Sequence, residues 1–326
     1  MQQYDIVVIG GGVAGLSAAI SAKEHHKGEI LILERENQLG GVLNQCIHSG
    51  FGKNIFSEEL TGPEFVQRFT DKVNEMGISY RLNTSVININ GSKEINVVSA
   101  SDGILKIQAK VIIIATGCRE RPRGYSNLPT SRCAGIYTVG CAQKFINIEG
   151  HMPGKEVVIL GTGDIALTVA RRLTIEGAKV KAIVESKDFI DAYDKKLIDS
   201  LKDFNIPLQI KHKVIDIKGK TRIQGVTLIK LDNNNEVIEN TQQHISCDAL
   251  LLSVDVYPDN ELAKQAKIII DLLTGRIQLN EKFQTNIVGI FACGNVVLGY
   301  DFCENVVKQS NVIGTGVSQY VKNAVV

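Results

Sequence analysis

The sequence lacks the features that would mark a disulfide scaffold, a nucleic-acid binder or a membrane protein. Seven cysteines are spread over 326 residues, at positions 46, 118, 133, 141, 247, 293 and 303, and no two stand at C-x-x-C spacing. An odd number in a long chain points to reduced thiols rather than a disulfide framework. Without C-x-x-C, the usual zinc knuckle and the usual sequence-local dithiol both drop out. The formal net charge is +1, too little for the basic face that nucleic acid requires. No apolar run reaches the ~18 residues of a membrane span. The start, YDIVVIG, has neither the basic n-region nor the cleavage site of a secretion signal. It reads as a first strand, which leaves the cytoplasm as the expected location.

What is present is an ordinary globular composition, 44% hydrophobic and 22% charged, in a chain long enough for two domains. YDIVVIGGGVAGLSAAISA is an apolar strand that runs directly into Gly10-x-Gly12-x-x-Gly15 and a small-residue helix. The first glycine allows a tight turn, the second admits a pyrophosphate to the backbone, and the third lets helix pack on strand. The helix N-terminus then faces the phosphates with unpaired N–H groups. A second strand, EILILE, ends in Glu34, 24 positions after Gly10 and placed to accept hydrogen bonds from a ribose diol. The pattern returns in EVVILGTGDIALTVARRL as Gly161-x-Gly163-x-x-Ala166, and VKAIVE ends in Glu185, again 24 positions on.

The duplication extends further. INVVSASDGILKIQ reads as a hairpin turning at Asp102-Gly103, followed by the buried strand KVIIIATG. GVTLIKLDNNNEVIEN reads as a second hairpin with an Asn-rich tip, followed by DALLLSVD. The expected fold is α/β, with two Rossmann-like dinucleotide-binding domains. Two dinucleotides in one chain imply electron transfer between them.

With these motifs the chain resembles the two-dinucleotide-domain flavoproteins of the pyridine nucleotide–disulfide oxidoreductase superfamily. The likeness rests on GGGVAG with Glu34, IIIATG at 112–117, GTGDIA with Glu185, and TNIVGIFACGN at 285–295. It implies that the first motif binds FAD and the second the nicotinamide cofactor. It also implies a discontinuous FAD domain, 1–117 with 249–326, and an inserted NAD(H) domain, 118–248. Pro122, Pro129 and Pro153 fit the crossing segments. By the same likeness Gly41, Thr116, Gly117, Gly294 and Asn295 belong to the FAD site. Asn295 stands where the family usually has Asp, and an amide still offers hydrogen bonds to a ribityl or phosphate oxygen. The helix beginning near Asp301 is expected to point its N-terminus at the flavin, stabilising the charge of the reduced ring.

A narrower resemblance is to the sarcosine oxidase alpha-like flavoproteins that partner glycerol-3-phosphate dehydrogenase. GGVLNQCIHSGFG, ELTGPEF, ATGCRERPRG and AGIYTVGCAQKFINIEGHMPGK carry it, whereas GYDFCENVV departs from that group's wording. Such proteins often carry a further C-terminal domain, so a docking domain beyond VKNAVV is expected to be missing here. Thioredoxin reductase-like members have C-x-x-C before the second glycine motif, where this chain reads Tyr137-Thr-Val-Gly-Cys141. Glutathione reductase-like members have two cysteines after the first Gly-Gly and a dimerisation domain; this chain has one cysteine there and no room for that domain.

The resulting expectation is an FAD-dependent NAD(P)H oxidoreductase that relays electrons to or from a partner dehydrogenase. Two alternatives stand beside it: a stand-alone NADH oxidase, peroxidase or small-molecule reductase using Cys46, and a non-enzymatic nucleotide-holding subunit. NADH is favoured, because Glu185 would repel a 2′-phosphate by about 1–4 kcal/mol, although Lys187 leaves a smaller allowance for NADPH. Three roles stay open for Cys46: packing against the cofactor, peroxide or thiol redox assisted by His48, and a disulfide with Cys303 or Cys293. A metal is not expected, since Cys46 and His48 alone leave a tetrahedral site unfilled. Arg119, Arg121 and Arg123 are either cofactor or partner contacts or a solvated crossover, with Arg119 the stronger candidate. His25 and His26 end the first helix, where imidazoles suit the dipole.

Overall fold

The computed structural model describes residues 1–121, 124, 128, 132–253 and 255–323. The chain divides into two compact units, Met1–Arg119 with Val256–Val326, and Glu120–Asp255. Arg123, Pro122 and Pro129 lie outside the described residues.

In the first unit the β-branched runs of the sequence become parallel strands buried on both faces, as a sheet covered by other elements requires. Among the described residues a seven-stranded sheet runs Ser79–Arg81, Ile30–Leu33, Gln2–Ile9, Gly103–Ile114, Glu94–Ser99, Thr84–Ile89, with Ile290–Ala292 added beside Gly103–Ile114. Val8 lies between Ile32 and Ile113 in parallel register. The hairpin at Asp102-Gly103 forms, with Ser99 opposite Gly103 and Gly103 at φ 66°. The buried strand expected after it is not a separate element. Gly103–Ile114 is one strand of 12 residues. Its first half alternates in exposure and its last four residues, 111–114, are wholly buried, because no turn residue interrupts QAKV.

Helices Val13–His25, Gly62–Glu75 and Cys303–Asn323 contribute Leu16, Phe65 and Val306 to one core cluster against this sheet. Gly62–Glu75 starts with a reciprocal cap that fixes its entry: Thr61 N–H donates to Glu64 Oε2 at 2.8 Å, and Glu64 N–H donates to the Thr61 hydroxyl. Among the described residues, no helix is long and apolar enough to cross a membrane.

In the second unit five parallel strands run Ile136–Thr138, Ala249–Leu252, Glu156–Leu160, Lys179–Glu185, Leu208–Ile210. The expected return to the first domain at residue 249 therefore falls too early. Ala249–Leu252 is buried between Glu156–Leu160 and Ile136–Thr138, and the division between the units comes after Asp255. The internal duplication explains why: Ala249–Leu252 lies beside the strand of its own glycine turn, as residues 111–114 lie beside Gln2–Ile9. A three-stranded antiparallel sheet, His212–Lys218, Gly225–Lys230, Gln243–Ser246, completes the unit. The Asn-rich run is a hairpin tip, its N–H groups from Asn234 and Glu236 collected by Asp232 Oδ1 at 2.8 and 2.9 Å. The return leg is the single bridge Leu231–Val237, and Gln243–Ser246 provides the long antiparallel partner.

Candidate functional site

Each unit presents a glycine turn whose three small residues are required for different reasons. Gly10 has φ 109°, and a Cβ there would run into the Ala115 carbonyl oxygen. A Cβ on Gly15 would run into the Gly10 carbonyl. Gly12 is different: φ −73°, ψ 176° is open to any residue, and the nearest atom to a built Cβ is Gly41 Cα at 4.0 Å. The second unit repeats this. Gly161 has φ 95° and meets the Ser253 carbonyl, and Ala166, fully buried, takes the packing position. Gly163 has φ −66° with the Ser253 hydroxyl 3.9 Å from a built Cβ. Protein packing thus accounts for the first and third small residues, and not for the second. The space left in front of Gly12 and Gly163 lies at the N-termini of helices Val13–His25 and Asp164–Ile175, where backbone N–H groups suit a phosphate.

The two acids close the back of these turns. Glu34 is 6% exposed and accepts the Gly11 N–H at Oε2 (2.7 Å) and the Glu36 N–H at Oε1 (2.8 Å). Glu185, also 6% exposed, accepts the Thr162 hydroxyl at Oε2 (2.7 Å) and the Lys187 N–H at Oε1 (3.1 Å). Each carboxylate oxygen has a second lone pair to offer a ribose hydroxyl. Thr162, Asp164 and Asp191 join the second turn unannounced by the motif. Thr162 was visible as the side chain between the two glycines, whereas the other two act through hydrogen bonds that only the folded loop creates.

Beside the first turn, Gly40 and Gly41 have φ 121° and 60°. Gly40 N–H donates to the Gly11 carbonyl at 2.8 Å, and a Cβ on Gly41 would stand 3.1 Å from Gly12 Cα. This second turn walls the space in front of Gly12 and leads through the 3₁₀ turn Gly41–Gln45 to Cys46. The Cys46 thiol donates to the Val42 carbonyl at 3.5 Å. Burial, with Cys303 as a neighbouring acid, pushes it up to about 12; burial pushes Cys303 up to about 11. His48 Nδ1 bonds the Ser49 carbonyl at 3.0 Å, and its ring is tilted by 38° against Phe51 with centroids 5.2 Å apart. All seven cysteines are free thiols. Among the described residues, no group of three or more His, Cys, Asp or Glu could hold a metal ion.

At the C-terminal end of Gly103–Ile114, beside the Gly10 turn, the Thr116 hydroxyl donates to the Asp259 carbonyl at 2.7 Å, and the Gly117 carbonyl accepts the Asp259 N–H at 2.9 Å, with Gly117 at φ 74°. Thr116 and Gly117 therefore shape the strand exit. Gly294 N–H donates to Gln309 Oε1 at 2.9 Å, which ties the start of the short helix Asn295–Leu298 to the last helix. Asn295 Oδ1 is buried without a protein partner among the described residues, a cost that a ligand donor would remove. Ahead of the last helix, Asp301 accepts the Phe302 N–H at 2.7 Å and the Asn305 amide at 2.8 Å, so the helix itself begins at Cys303. Arg119 pairs with Glu261 and Arg121 with Asp255, both at 3.0 Å. His25 bonds the Ser21 carbonyl and His26 bonds Asp5, at 3.0 and 3.3 Å.

The chain is similar to the NAD(P)H sulfur oxidoreductase (CoA-dependent) of Pyrococcus abyssi, 25% identical over 300 residues, 89% of this chain and 62% of that protein. It is also similar to the hydrogen cyanide synthase subunit HcnB of Pseudomonas protegens, 25% identical over 281 residues, 79% of this chain and 58% of that one. The chain thus spans about six tenths of the length of these two relatives. In fold it matches the thioredoxin reductase of T. acidophilum with a TM-score of 0.77 at 21% identity, covering 100% of both chains. The narrower resemblance to partners of glycerol-3-phosphate dehydrogenase gives way here to relatives named as a sulfur oxidoreductase and, at 28% identity over 90% of this chain, the thioredoxin reductase of Mycoplasmopsis pulmonis. Two cradles that each leave room at the second glycine, backed by a buried acid, fit two dinucleotides. Matched from residue 4 to residue 321 by the family model, the chain belongs to the pyridine nucleotide-disulphide oxidoreductase family, whose oxidoreductases use FAD and NAD(P)H.

Proposed function

We propose that the first unit holds FAD, the second holds NADH, and the electron pair is exchanged with a partner protein rather than with an internal dithiol. The observation that carries this reading is that Gly12 and Gly163 are small residues that protein packing does not require, a built Cβ meeting nothing closer than 3.9 Å. When bound, the cofactors supply the redox chemistry, a hydride passing between nicotinamide C4 and flavin N5. The chain binds and orients. Gly12 and the N-terminus of Val13–His25 receive the FAD pyrophosphate, Glu34 the ribose diol, and the unpartnered Asn295 Oδ1 a donor on the flavin's chain. Gly163 and Glu185 do the same for NADH.

The partner is supported by what the thiols do not offer. Cys141 has Thr138, not a cysteine, three residues before it, and Cys46 has no second cysteine in its loop. A relative named as a subunit of a larger enzyme is consistent with electrons leaving through another chain. A partner dehydrogenase is one form of this proposal. Purified protein should be yellow or become so with FAD, and should bleach when NADH is added without air. Protein that stays colourless with FAD sinks the reading.

A second reading, reduction of a small sulfur or peroxide acceptor at Cys46, is favoured by the place of Cys46 beyond the Gly40-Gly41 turn and by the sulfur-reducing relative. Against it stands a thiol held up to about 12, protonated and weakly nucleophilic near neutrality. Rapid NADH oxidation by the isolated chain with such an acceptor would select this reading over the relay.

A further inference from the structure

The loop of residues 186–194 is fastened to the second glycine turn at two points. Asp191 N–H donates to the Thr162 hydroxyl oxygen at 2.9 Å, and Thr162 in turn donates to Glu185. Farther along, the N–H groups of Tyr193 and Asp194 both donate to Asp164 Oδ1, at 2.9 and 3.1 Å. The backbone of Asp191 is therefore held in place relative to the acid expected to meet the ribose.

Lys187 is held there too, since its own N–H donates to Glu185 Oε1. Its ammonium is bound by an acid of the loop. It pairs with Asp191 Oδ1 at 2.8 Å and lies 5.3 Å from the centre of the Phe189 ring. The bond to Asp191 raises the Lys187 pKa, so the cation stays charged and paired with Asp191. A ribose 2′-phosphate beside Glu185 would need a cation to offset the carboxylate, and Lys187 is the lysine closest to that acid in the chain.

We propose that Asp191 is a specificity-determining residue: by holding the Lys187 ammonium it withholds that cation from a 2′-phosphate, so NADPH is rejected by the charge of Glu185 and by the capture of Lys187. This rests on the assignment of NADH to the second unit. The pair is about half exposed, 45% and 48%, and such pairs have small effects unless the groups are preorganised. The Thr162 and Asp164 anchors provide that preorganisation, because Asp191 loses no backbone freedom when it takes the lysine.

The test is calorimetric titration of the FAD-loaded protein with 5′-AMP and with adenosine 2′,5′-bisphosphate, which needs no turnover. Asp191→Asn should bind the bisphosphate about two- to fivefold more tightly and bind 5′-AMP as wild type does. The gain should vanish in Asp191→Asn/Lys187→Ala and shrink as salt is raised, since it comes from an exposed charge. An equal gain in the double variant would mean that only a negative charge was removed, and would overturn the proposal, as would no gain at all. Failure of wild type to bind 5′-AMP, with Glu185→Ala indistinguishable from it, would instead remove the nucleotide site from the second unit and the proposal with it.

Discussion

Gly11 and Glu34 are joined by a 2.7 Å hydrogen bond from backbone N–H to carboxylate, and the corresponding pair in the second unit, Thr162 and Glu185, is joined at 2.7 Å by a hydroxyl. The donors differ because of space. A Cβ on Gly11 would lie 2.6 Å from Leu39 Cδ2, so only the backbone can donate there. Position 162 has room for a side chain, and its hydroxyl both donates to the acid and accepts from Asp191.

Glu34→Ala should destabilise the first unit as well as weaken FAD. It leaves the buried N–H of Gly11 and the partly buried N–H of Glu36 without acceptors, at a cost of about 1–3 kcal/mol each for fully buried groups. Denaturant unfolding of the FAD-free protein measures this separately from flavin content. A variant as stable as wild type would show that Glu34 does not hold the turn.

Gly12→Val and Gly163→Val should each leave their unit folded at a cost of about 1 kcal/mol for the poorer N-cap, because both backbones are in ordinary extended conformations and a Cβ there meets nothing closer than 3.9 Å. Gly12→Val should lose bound FAD. Gly163→Val should remain yellow and fail to bleach with NADH. Equal loss of flavin in both, read from absorbance per protein, would overturn the assignment of one turn to each cofactor.

Glu185→Ala removes a ribose acceptor and a repulsive charge together. Its kcat/KM with NADH should fall and that with NADPH should rise, within the range of about 1–4 kcal/mol expected for the charge. Wild type that uses both cofactors equally would show that Glu185 does not face the 2′ position.

Cys46→Ser should retain FAD and accept electrons from NADH within about tenfold of the wild-type rate, a barrier change below ~1.4 kcal/mol. Its thiol, held up to about 12, should resist alkylation at neutral pH. Uptake of four electrons per flavin by wild type and two by Cys46→Ser would show instead that Cys46 takes part in redox with a second thiol such as Cys303.

Cys293 should lower stability in alkali. It is fully buried and its thiol is raised from 9.0 to about 12 by that burial. Above pH 9 the unfolded chain releases this proton while the folded one keeps it, so folding loses about 1.4 kcal/mol per pH unit from this group until about 12. The stability difference between wild type and Cys293→Ala should therefore shift against wild type across that window. Parallel curves for the two proteins would refute it.

The glycine turns and their acids were legible in the chain because they are local: a strand, a turn and a helix within 30 residues impose φ and packing on Gly10, Gly15, Gly161 and Ala166 wherever the rest of the chain goes. The same locality made the Asp102-Gly103 turn and the Asn-rich tip readable. The duplication likewise placed DALLLSVD after the second hairpin, and what differs from the structure at Ala249–Leu252 is the boundary at 249 that the family resemblance implied. That strand pairs with Glu156–Leu160, about ninety residues earlier.

By itself, then, the sequence determined two dinucleotide turns, their order and the absence of a sequence-local dithiol, because backbone sterics and residue spacing are properties of short segments. Tertiary structure alone decided that Asn295 Oδ1 is buried without a partner among the described residues, that Thr162 stands between Glu185 and Asp191, and that Lys187 is held by Asp191. Burial and hydrogen-bond partners are set by what the fold brings against a side chain, and no spacing along the chain encodes that.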